Sequence, residues 1–333
     1  MPSALYPLKK SEKMNKFCLI PQPIHQSGLQ QLRDNGIEPL VGEEACANAP
    51  VDQVVAAIYR SGQFPRTRMV QLPALRAIAV HGVGIDGIDL EGANELGVAV
   101  FNTPGANNRS VAEHALGLMF ALTKRLPESD QAVRRGEFSF RFKGGLRELF
   151  GATLGIVGYG AIGQMTAQMA QAMGMRVQVL TRRSAEELAD LGLEKASSLE
   201  SLLTSSDIVS LHAPSLPETQ HLIGAEQLKI MKPSAYLINT SRGALVDEDA
   251  LIAALQQGEI AGAGLDVFAV EPLPASSPLT QLPNVVLTPH AAASAEQALI
   301  RMASAAVTGV LEVLNDRCPP SMINPQIWEL RRR

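Results

Sequence analysis

The sequence predicts an α/β protein made of two Rossmann-like, doubly wound parallel-sheet domains. Short apolar segments alternate with helical segments through most of its 333 residues, a pattern typical of parallel sheets with right-handed crossovers. A G-x-G-x-x-G loop, Gly158-Tyr159-Gly160-Ala161-Ile162-Gly163, lies between a predicted strand and a predicted helix. Apolar residues form 46% of the chain and aromatic residues only 4%, which suits cores of Val, Ile, Leu and Ala.

The first α/β unit occupies about the first hundred residues. Its predicted strands cover residues 16–20, 56–59, 77–81 and 98–101, and its predicted helices cover residues 27–33 and 89–96. Ser27 is a suitable N-cap for the first helix, Asn35-Gly36 ends it, and Gly97 follows the second helix.

A second α/β unit follows the interruption at residues 102–105. An apolar helix is expected at residues 111–124. Six strands follow, which is the Rossmann number, at residues 153–157, 176–180, 207–211, 235–239, 263–267 and 285–287. The Ala-rich helix at residues 294–314 leads back to the first unit.

These elements predict a discontinuous first domain. We expect a substrate domain of residues 1–104 and 294–333 and, inserted in it, a dinucleotide-binding domain of residues 105–293. A ligand cleft is expected between the two domains, at the carboxyl ends of the strands.

Composition excludes several classes of partner. The net charge is −4, and no basic block exists beyond the terminal run 331–333, so nucleic acid is not an expected partner. Three widely spaced cysteines, Cys18, Cys46 and Cys318, form neither a metal-type pair nor a disulfide framework. We therefore expect no metal site and a reducing, cytoplasmic location. No apolar run approaches the length of a membrane span, and residues 1–15 form a polar tail without a signal-peptide core.

Each glycine of the loop has a reason that points to a dinucleotide. Gly158 permits the tight strand-to-helix turn, Gly160 lets a pyrophosphate approach the backbone, and Gly163 allows close packing of helix on strand. The helix N-terminus adds free N–H groups and a positive dipole end. Together with Tyr159, Ala161 and Ile162, these residues are the predicted pyrophosphate site.

The residues after the second Rossmann strand favour NADP over NAD. An acidic residue at that position binds the ribose 2′-OH of NAD, but here Thr181 takes the position, and Arg182, Arg183 and Ser184 follow. The arginines would attract a 2′-phosphate, and the serine could donate a hydrogen bond. A solvated basic turn that accepts either cofactor is the alternative, and Glu186-Glu187 are expected to start the next helix.

Three later segments end strands and carry polar residues: Arg242 in residues 238–243, Glu271 in residues 264–272 and His290 in residues 287–290. Singly, Arg242 could be a surface arginine, Glu271 the cap of a turn and His290 a structural histidine. Their joint order after a dinucleotide loop is far harder to explain in that way.

The chain resembles the D-isomer-specific 2-hydroxyacid dehydrogenases, in the branch of the glyoxylate/hydroxypyruvate reductases. The resemblance covers residues 16–325 and rests on the glycine loop, the three segments above and three further motifs. Those motifs are Gly82-Val83-Gly84-Ile85-Asp86-Gly87-Ile88-Asp89, Asn102-Thr103-Pro104-Gly105-Ala106-Asn107 and Ser110-Val111-Ala112-Glu113-His114.

The resemblance implies an Arg-Glu-His active site at Arg242, Glu271 and His290. Arg242 would hold the substrate carboxylate and polarise the C2 oxygen. The hydride would come from C4 of the nicotinamide and the proton from His290, with Glu271 orienting the imidazole and favouring its charged form.

The resemblance also implies further contacts. Asp266 would bind the nicotinamide, and other residues would line the cofactor: His212, Ala213, Pro214, Thr219, Thr240 and Ser241. The N–H groups of Val83 and Gly84 would bind the substrate carboxylate, and Arg60 would touch the substrate. Gly87 and the segment 291–294 depart from the usual motifs, which affects pocket shape more than chemistry.

Several functions remain open from sequence. An NADPH-dependent reductase of glyoxylate or hydroxypyruvate is favoured. A phosphoglycerate dehydrogenase-like enzyme could use Arg60, Arg141 and Lys143 for a second anion. Formate dehydrogenase is disfavoured, because that branch has glutamine where Glu271 stands. An NAD(P)-sensing, corepressor-like scaffold would keep the same residues. The family also implies a homodimer formed through the helix that begins near Val111, and closure of the cleft by hinge motion at residues 102–105 and 290–294.

Overall fold

The computed structural model describes residues 15–333, so the predicted polar tail lies, apart from residue 15, outside the described residues. The chain divides into two compact units. The first runs up to Asn107 and resumes at Glu296, and the second comprises Asn108–Ala295. Each unit contains one parallel sheet covered by helices, so the predicted fold class is confirmed.

The first unit has a five-stranded sheet in the order β2-β1-β3-β4-β5. Its strands are β1 (Lys16–Ile20), β2 (Ile37–Val41), β3 (Val54–Tyr59), β4 (Ala77–Val80) and β5 (Ala99–Phe101). Its helices are α1 (Gln26–Asp34), α2 (Glu43–Ala47), α3 (Arg66–Val70), α4 (Leu90–Glu95) and α12 (Glu296–Leu314).

This unit differs from the sequence prediction in three short elements that were not predicted, β2, α2 and α3, and in one helix cap. Strand β2 was not predicted, because Pro39 interrupts its apolar pattern, and an edge strand is one of the few places in a sheet that accept proline. The N-cap of α1 is His25 rather than Ser27. The imidazole Nδ1 of His25 accepts a hydrogen bond from the backbone N–H of Ser27 at 3.1 Å. The N-cap acceptor is therefore a ring nitrogen and not the serine hydroxyl that the sequence predicted.

Helix α12 completes the core of the first unit. Its small and β-branched side chains, among them Ala303, Val307 and Val310, are fully buried in one cluster with β-strand residues such as Ala79 and Phe101. Among the described residues, this helix is long and apolar enough to cross a membrane by length and composition, so the expectation that no run approaches that length was wrong. Its buried side chains identify it as the core helix of a sheet.

The second unit has a seven-stranded sheet in the order β12-β11-β10-β9-β6-β7-β8. Its strands are β6 (Thr153–Val157), β7 (Arg176–Leu180), β8 (Glu194–Lys195), β9 (Ile208–Leu211), β10 (Tyr236–Asn239), β11 (Gly262–Leu265) and β12 (Val285–Leu287). Its helices are α5 (Asn108–Thr123), α6 (Leu126–Arg134), α7 (Ala161–Ala172), α8 (Ala185–Ala189), α9 (Leu199–Ser205), α10 (Ala225–Ile230) and α11 (Glu248–Gln257).

The strand order of the second unit is that of a Rossmann sheet with one strand added beyond the sixth. The predicted number of six omitted β8, whose two residues are polar and exposed. Strand β6 lies in the middle, paired with β7 and β9. Because all seven strands are parallel, the loops that follow them emerge at the same edge of the sheet, and this edge carries the candidate site.

Candidate functional site

The glycine loop joins β6 to α7, as predicted, and each glycine has a distinct environment. Gly158 has a φ of +95°, and a Cβ there would lie 2.7 Å from the backbone of His212 and Ala213. A Cβ at Gly163 would overlap the carbonyl oxygen of Gly158, whereas one at Gly160 would meet no heavy atom within 4 Å. Protein packing therefore requires glycine at 158 and 163, and the space at 160 is open to a ligand.

The N-terminus of α7 faces that open space without a side-chain cap. The N-cap is Gly160, and no described side chain accepts its first N–H groups. Unpartnered N–H groups at a helix N-terminus bind anions well. The loop thus fits the pyrophosphate of a dinucleotide on two observations, the open space at Gly160 and the uncapped helix.

The basic segment after β7 lies against the glycine loop. The Arg183 guanidinium stands 5.2 Å from the centroid of the Tyr159 ring, and Thr181 Oγ1 accepts the N–H of Arg183. Ser184 forms a capping box with Glu187 at the start of α8, so Glu186 and Glu187 begin that helix as predicted. Ser184 therefore has a structural role beside the position predicted for a 2′-phosphate.

Two buried polar atoms at the ends of β9 and β10 have no hydrogen-bond partner among the described residues: Nδ1 of His212 and Oγ1 of Thr240. Burial lowers the pKa of His212 to about 4, so its ring is neutral at physiological pH. Nε2 of the same ring lies 2.9 Å from Ser210 Oγ. Unsatisfied buried groups are rare, and these two fit the polar parts of a bound cofactor.

Two other predicted cofactor residues serve the loops themselves. The hydroxyl of Ser241 donates to the carbonyl of Leu211 at 2.7 Å, which ties the loop after β10 to β9. The hydroxyl of Thr219 donates to the carbonyl of Pro214 at 2.7 Å and accepts the N–H of Leu216. Both side chains therefore shape the segment that follows β9.

Asp266, at the end of β11, is fully buried. Its carboxylate accepts hydrogen bonds from the hydroxyl of Thr288 and the N–H groups of Ala291 and Ala292. The family resemblance gives this residue a contact with the nicotinamide. In the structure, the carboxylate holds the loop after β12 to the sheet, and its contact with the nicotinamide stays a prediction.

His290 lies in that loop, with Glu271 beside it. Nδ1 of His290 and Oε2 of Glu271 are 2.7 Å apart, and about half of the His290 side chain (51%) is exposed. Partial burial raises the pKa of the Glu271 carboxyl. The hydrogen bond from His290, the N–H of Phe268 and the charges of His290 and Arg242 outweigh that effect, so the pKa lies below its usual value. Glu271 is thus ionised at neutral pH, and Nδ1 of His290 is the donor.

Arg242 begins the short 3₁₀ turn after β10. Its carbonyl accepts a hydrogen bond from Asn239 Nδ2 at 2.9 Å, and its guanidinium donates to the carbonyl of Ser241 at 2.7 Å. The Arg242 charge acts on the carboxylate of Glu271. The structure therefore brings together, on neighbouring loops of one unit, a guanidinium, a carboxylate and an imidazole.

The predicted substrate residues of the first unit follow β3 and β4. Val83 is exposed, and its carbonyl accepts a hydrogen bond from Asn102 Nδ2, while Thr103 bonds Gly82 through both backbone and hydroxyl. Gly84 comes next in that turn. Arg60 donates to the carbonyl of Pro23 at 3.3 Å.

Sequence reasoning missed three polar residues. His81 is buried at the end of β4, and neither ring nitrogen has a partner among the described residues. His114 and Thr288 are hydrogen-bonded to each other beneath the His290 loop. His114 lay within a quoted motif and Thr288 stood two residues before His290, but no local signal joins them.

Comparison with known proteins relates the chain to several oxidoreductases. The family model described as D-isomer specific 2-hydroxyacid dehydrogenase, NAD binding domain, matches residues 116–292. A glyoxylate reductase from Aeropyrum pernix is 43% identical over 270 residues, which are 79% of this chain and 80% of that protein. A D-3-phosphoglycerate dehydrogenase from Methanocaldococcus jannaschii is 36% identical over 311 residues, 92% of this chain and 59% of that protein.

One solved structure is informative about ligands. It is an NADPH-dependent glyoxylate/hydroxypyruvate reductase from Sinorhizobium meliloti in complex with NADP and malonate. It matches with a TM-score of 0.83 and 31% identity over 96% of this chain and 99% of that one.

Proposed function

Because the chain belongs to the D-isomer-specific 2-hydroxyacid dehydrogenase family, we propose that it reduces a small 2-oxoacid, glyoxylate or hydroxypyruvate, with NADPH to the corresponding 2-hydroxyacid, in the D configuration where C2 becomes a stereocentre. The observation that carries this proposal is the 2.7 Å contact of His290 with Glu271, in a loop beside that of Arg242. These groups supply what the reduction of a carbonyl group beside a carboxylate needs: a planar set of N–H donors and a proton source.

The roles of the three side chains follow from their hydrogen bonds. Ionised Glu271 accepts a hydrogen bond from Nδ1 of His290, which fixes the orientation of the ring. Nε2 is then the atom that gives a proton to the C2 oxygen of the substrate, and that takes it back in the reverse direction. The Arg242 guanidinium binds the substrate carboxylate and polarises the C2 carbonyl. Reduced nicotinamide, when bound, supplies the hydride that attacks C2.

The second unit is proposed to hold the dinucleotide and the first unit the substrate. The loop at Gly158–Gly163 receives the pyrophosphate, and Thr240 and His212 offer their unpartnered atoms to the nicotinamide half. In the first unit, the N–H groups of Val83 and Gly84 are proposed to bind the substrate carboxylate. Arg60 remains a proposed substrate contact.

The preference for NADPH is proposed from charge. No carboxylate occupies the end of β7, where Thr181 precedes two arginines, and Arg183 is held over Tyr159 of the glycine loop. A 2′-phosphate carries a charge of about −1.5 to −2 at pH 7, which Arg182 and Arg183 would stabilise. The Sinorhizobium meliloti relative is NADPH-dependent, which agrees with this proposal.

A spectrophotometric screen tests the function directly. We expect oxidation of NADPH with glyoxylate and hydroxypyruvate and loss of turnover in His290→Ala and Arg242→Ala. Arg33→Ala is the matched control, because Arg33 forms an exposed ion pair with Glu38 and should keep wild-type activity. Tight NADPH binding without turnover on a broad panel of 2-oxoacids would indicate an NAD(P)-sensing scaffold instead.

Activity with phosphohydroxypyruvate tests the alternative that the protein is a phosphoglycerate dehydrogenase-like enzyme. Arg141 and Lys143, which could bind a second anion, lie in an exposed turn with their charges over the rings of Phe142 and Phe140. We propose that they do not form a phosphate site, so hydroxypyruvate should be the better substrate by kcat/KM. A higher kcat/KM for phosphohydroxypyruvate would reverse this assignment.

We also propose that the protein is a homodimer formed through α5, α6 and the segment after them. Large apolar side chains are exposed there: Phe120, Leu126, Val133, Phe138, Phe142, Leu146 and Phe150. Exposed apolar patches of this kind mark association surfaces. Light scattering should report the mass of a dimer, and the mass of a monomer would contradict the proposal. A cytoplasmic location is proposed from three unpaired cysteines, and cell fractionation tests it.

A further inference from the structure

His290 has a backbone conformation that must be held by its surroundings. Its φ is +51°, in the left-handed region, which is uncommon for a residue with a Cβ and costs free energy. The backbone N–H of His290 donates to the carbonyl of Asp266 at 2.9 Å. The next two N–H groups, of Ala291 and Ala292, donate to its carboxylate at 2.8 and 2.9 Å. Asp266 thus holds three consecutive residues of the loop.

A second layer of hydrogen bonds holds Asp266 and the loop in turn. The hydroxyl of Thr288 donates to Asp266 Oδ1 at 2.5 Å, and Nε2 of His114 lies 2.9 Å from the same hydroxyl oxygen. Nε2 of His114 is also 3.5 Å from Asp266 Oδ1, which is long for a hydrogen bond, so the contact with Thr288 is the stronger one. A hydroxyl group has one proton. Since Thr288 gives it to Asp266, the proton between Thr288 and His114 belongs to His114, and Nε2 is the donor.

His114 is well placed to act as an anchor. It lies on α5, a helix of 16 residues, and its side chain is largely buried, with 25% exposed. The same helix holds the loop at a second point, where the hydroxyl of Ser110 donates to the carbonyl of Ala292. The loop is therefore fastened on one side to the sheet through Asp266 and on the other to α5.

We propose that His114 is a positioning residue for the reaction, acting through Thr288 and Asp266 on the backbone of His290. The N–H of His114 fixes the Thr288 hydroxyl, the hydroxyl fixes the carboxylate, and the carboxylate holds His290 in the left-handed conformation that directs its ring to Glu271. This proposal rests on the proposed function, because it assigns His114 a role only if His290 is the proton donor.

Substitutions at position 114 test the positioning role of His114, because His114→Gln should restore the activity that His114→Leu loses. His114→Leu removes the donor and should lower kcat about 10- to 100-fold, the effect of displacing a reacting group by about 1 Å. The Kd of NADPH, measured by its fluorescence, should change less than about twofold, because the glycine loop is untouched. His114→Gln can still donate to Thr288 and should recover most of kcat, which a purely space-filling role would not explain.

Substitutions at Thr288 test the same positioning role independently. Thr288→Val, which keeps the shape but loses the hydroxyl, should lower kcat as much as His114→Leu, and Thr288→Ser should keep it. If both residues act through one path, the double variant with leucine at 114 and valine at 288 loses no more than either single variant. If circular dichroism shows that His114→Leu does not fold, Thr288→Val and Thr288→Ser test the proposal by themselves.

The outcomes separate the two proposals. An unchanged kcat in His114→Leu, no recovery in His114→Gln, or additive losses in the double variant would each overturn the positioning role. Full activity of His290→Ala in the same assay would overturn the proposed function itself. An inactive His290→Ala together with a fully active, folded His114→Leu would leave the function standing and remove only the role of His114.

Discussion

The backbone of Gly243 touches the carbonyl group of Phe268, so closely that a Cβ at 243 would overlap the carbonyl oxygen. Gly243 follows Arg242 in the loop after β10, and Phe268 precedes Glu271 in the loop after β11. The contact sets the separation of the two loops. Nothing larger than a hydrogen atom fits between the backbones of Gly243 and Phe268, and this close approach keeps the charge of Arg242 near enough to Glu271 to lower the pKa of its carboxyl.

Gly243→Ala should therefore damage catalysis more than cofactor binding. The added methyl group must push the two loops apart, and a displacement of about 1 Å at a reacting group costs roughly 100-fold in rate. Steady-state kinetics and NADPH fluorescence measure the two effects. Gly224→Ala is the control, because Gly224 has a negative φ of −112° and a Cβ there would meet no atom closer than 3.4 Å. Equal kcat in the two variants would contradict the prediction.

Glu271→Gln tests the charge beside His290. The amide oxygen can still accept a hydrogen bond from the imidazole but carries no negative charge, and we expect kcat to fall about 10- to 100-fold. Glu248→Gln is the matched control. Glu248 accepts the N–H of Ala269 in the same loop, and its substitution should change kcat less than about twofold. A similar loss of kcat in both variants would mean that the conformation of the loop, and not the charge of Glu271, determines the rate.

The same substitution has a pH signature. The pKa of Glu271 is lowered in the folded protein, so its charge stabilises the fold above the usual value of 4.5, and that contribution is lost as the pH falls through the lowered pKa. Glu271→Gln should be less stable than the wild type at neutral pH, and the two melting temperatures should converge in acid. Melting curves by circular dichroism across this range make the comparison.

Arg183→Ala should weaken NADPH binding and leave NADH binding unchanged. Removing a charged hydrogen-bond donor to the 2′-phosphate costs about 1.5–3 kcal/mol, or roughly 10- to 100-fold in Kd. Titration with 2′-AMP and 5′-AMP isolates the phosphate from the rest of the cofactor. Lys195→Ala, at an exposed position of β8, controls for the loss of a nearby positive charge. A wild type that does not distinguish the two nucleotides would end the proposed preference for NADPH.

His81→Phe should make the protein more stable, and more so in acid. Both ring nitrogens of His81 are buried and have no partner among the described residues, so an apolar ring removes two unsatisfied groups. Burial and the nearby charge of Arg60 lower the pKa of His81 from 6.5 to about 4.

The sign of that pH dependence follows from proton binding. Between pH 6.5 and about 4 the unfolded chain binds a proton at His81 that the folded protein does not, so the folded state loses stability as the pH falls. The loss is about 1.4 kcal/mol for each pH unit in this window, and the variant should escape it. Denaturant titrations at neutral pH and at about pH 5 measure the difference. A constant stability gap between the two proteins would contradict the pKa assignment.

The sequence was sufficient for features that depend on local pattern. The glycine loop, the strand before it and the helix after it follow from residue spacing, and Arg242, Glu271 and His290 stand out because each follows an apolar strand. Strand β8 was not predicted, because its two residues, Glu194 and Lys195, are polar and exposed. Only its pairing with β7 identifies it as a strand.

Contacts between distant segments could not be predicted. His114 and Thr288 are separated by 174 positions, and neither residue type signals the other. The hydrogen-bond partners of Asp266 are also distant in sequence. Its position at a strand end suggested a ligand contact, but its burial and its hydrogen bonds from the segment 288–292 depend on the fold and could not be predicted.

The placement of α12 orders events during synthesis on the ribosome. All strands of the second unit have been translated by residue 287, whereas one face of the first sheet is covered only in part, by α1, until residues 296–314 emerge. A nascent chain therefore carries an apolar surface made early and covered last, while an entire Rossmann unit is translated in between. We therefore expect the first unit to complete its folding only after its final helix has been translated. Until then, its exposed apolar surface is of the kind that chaperones bind.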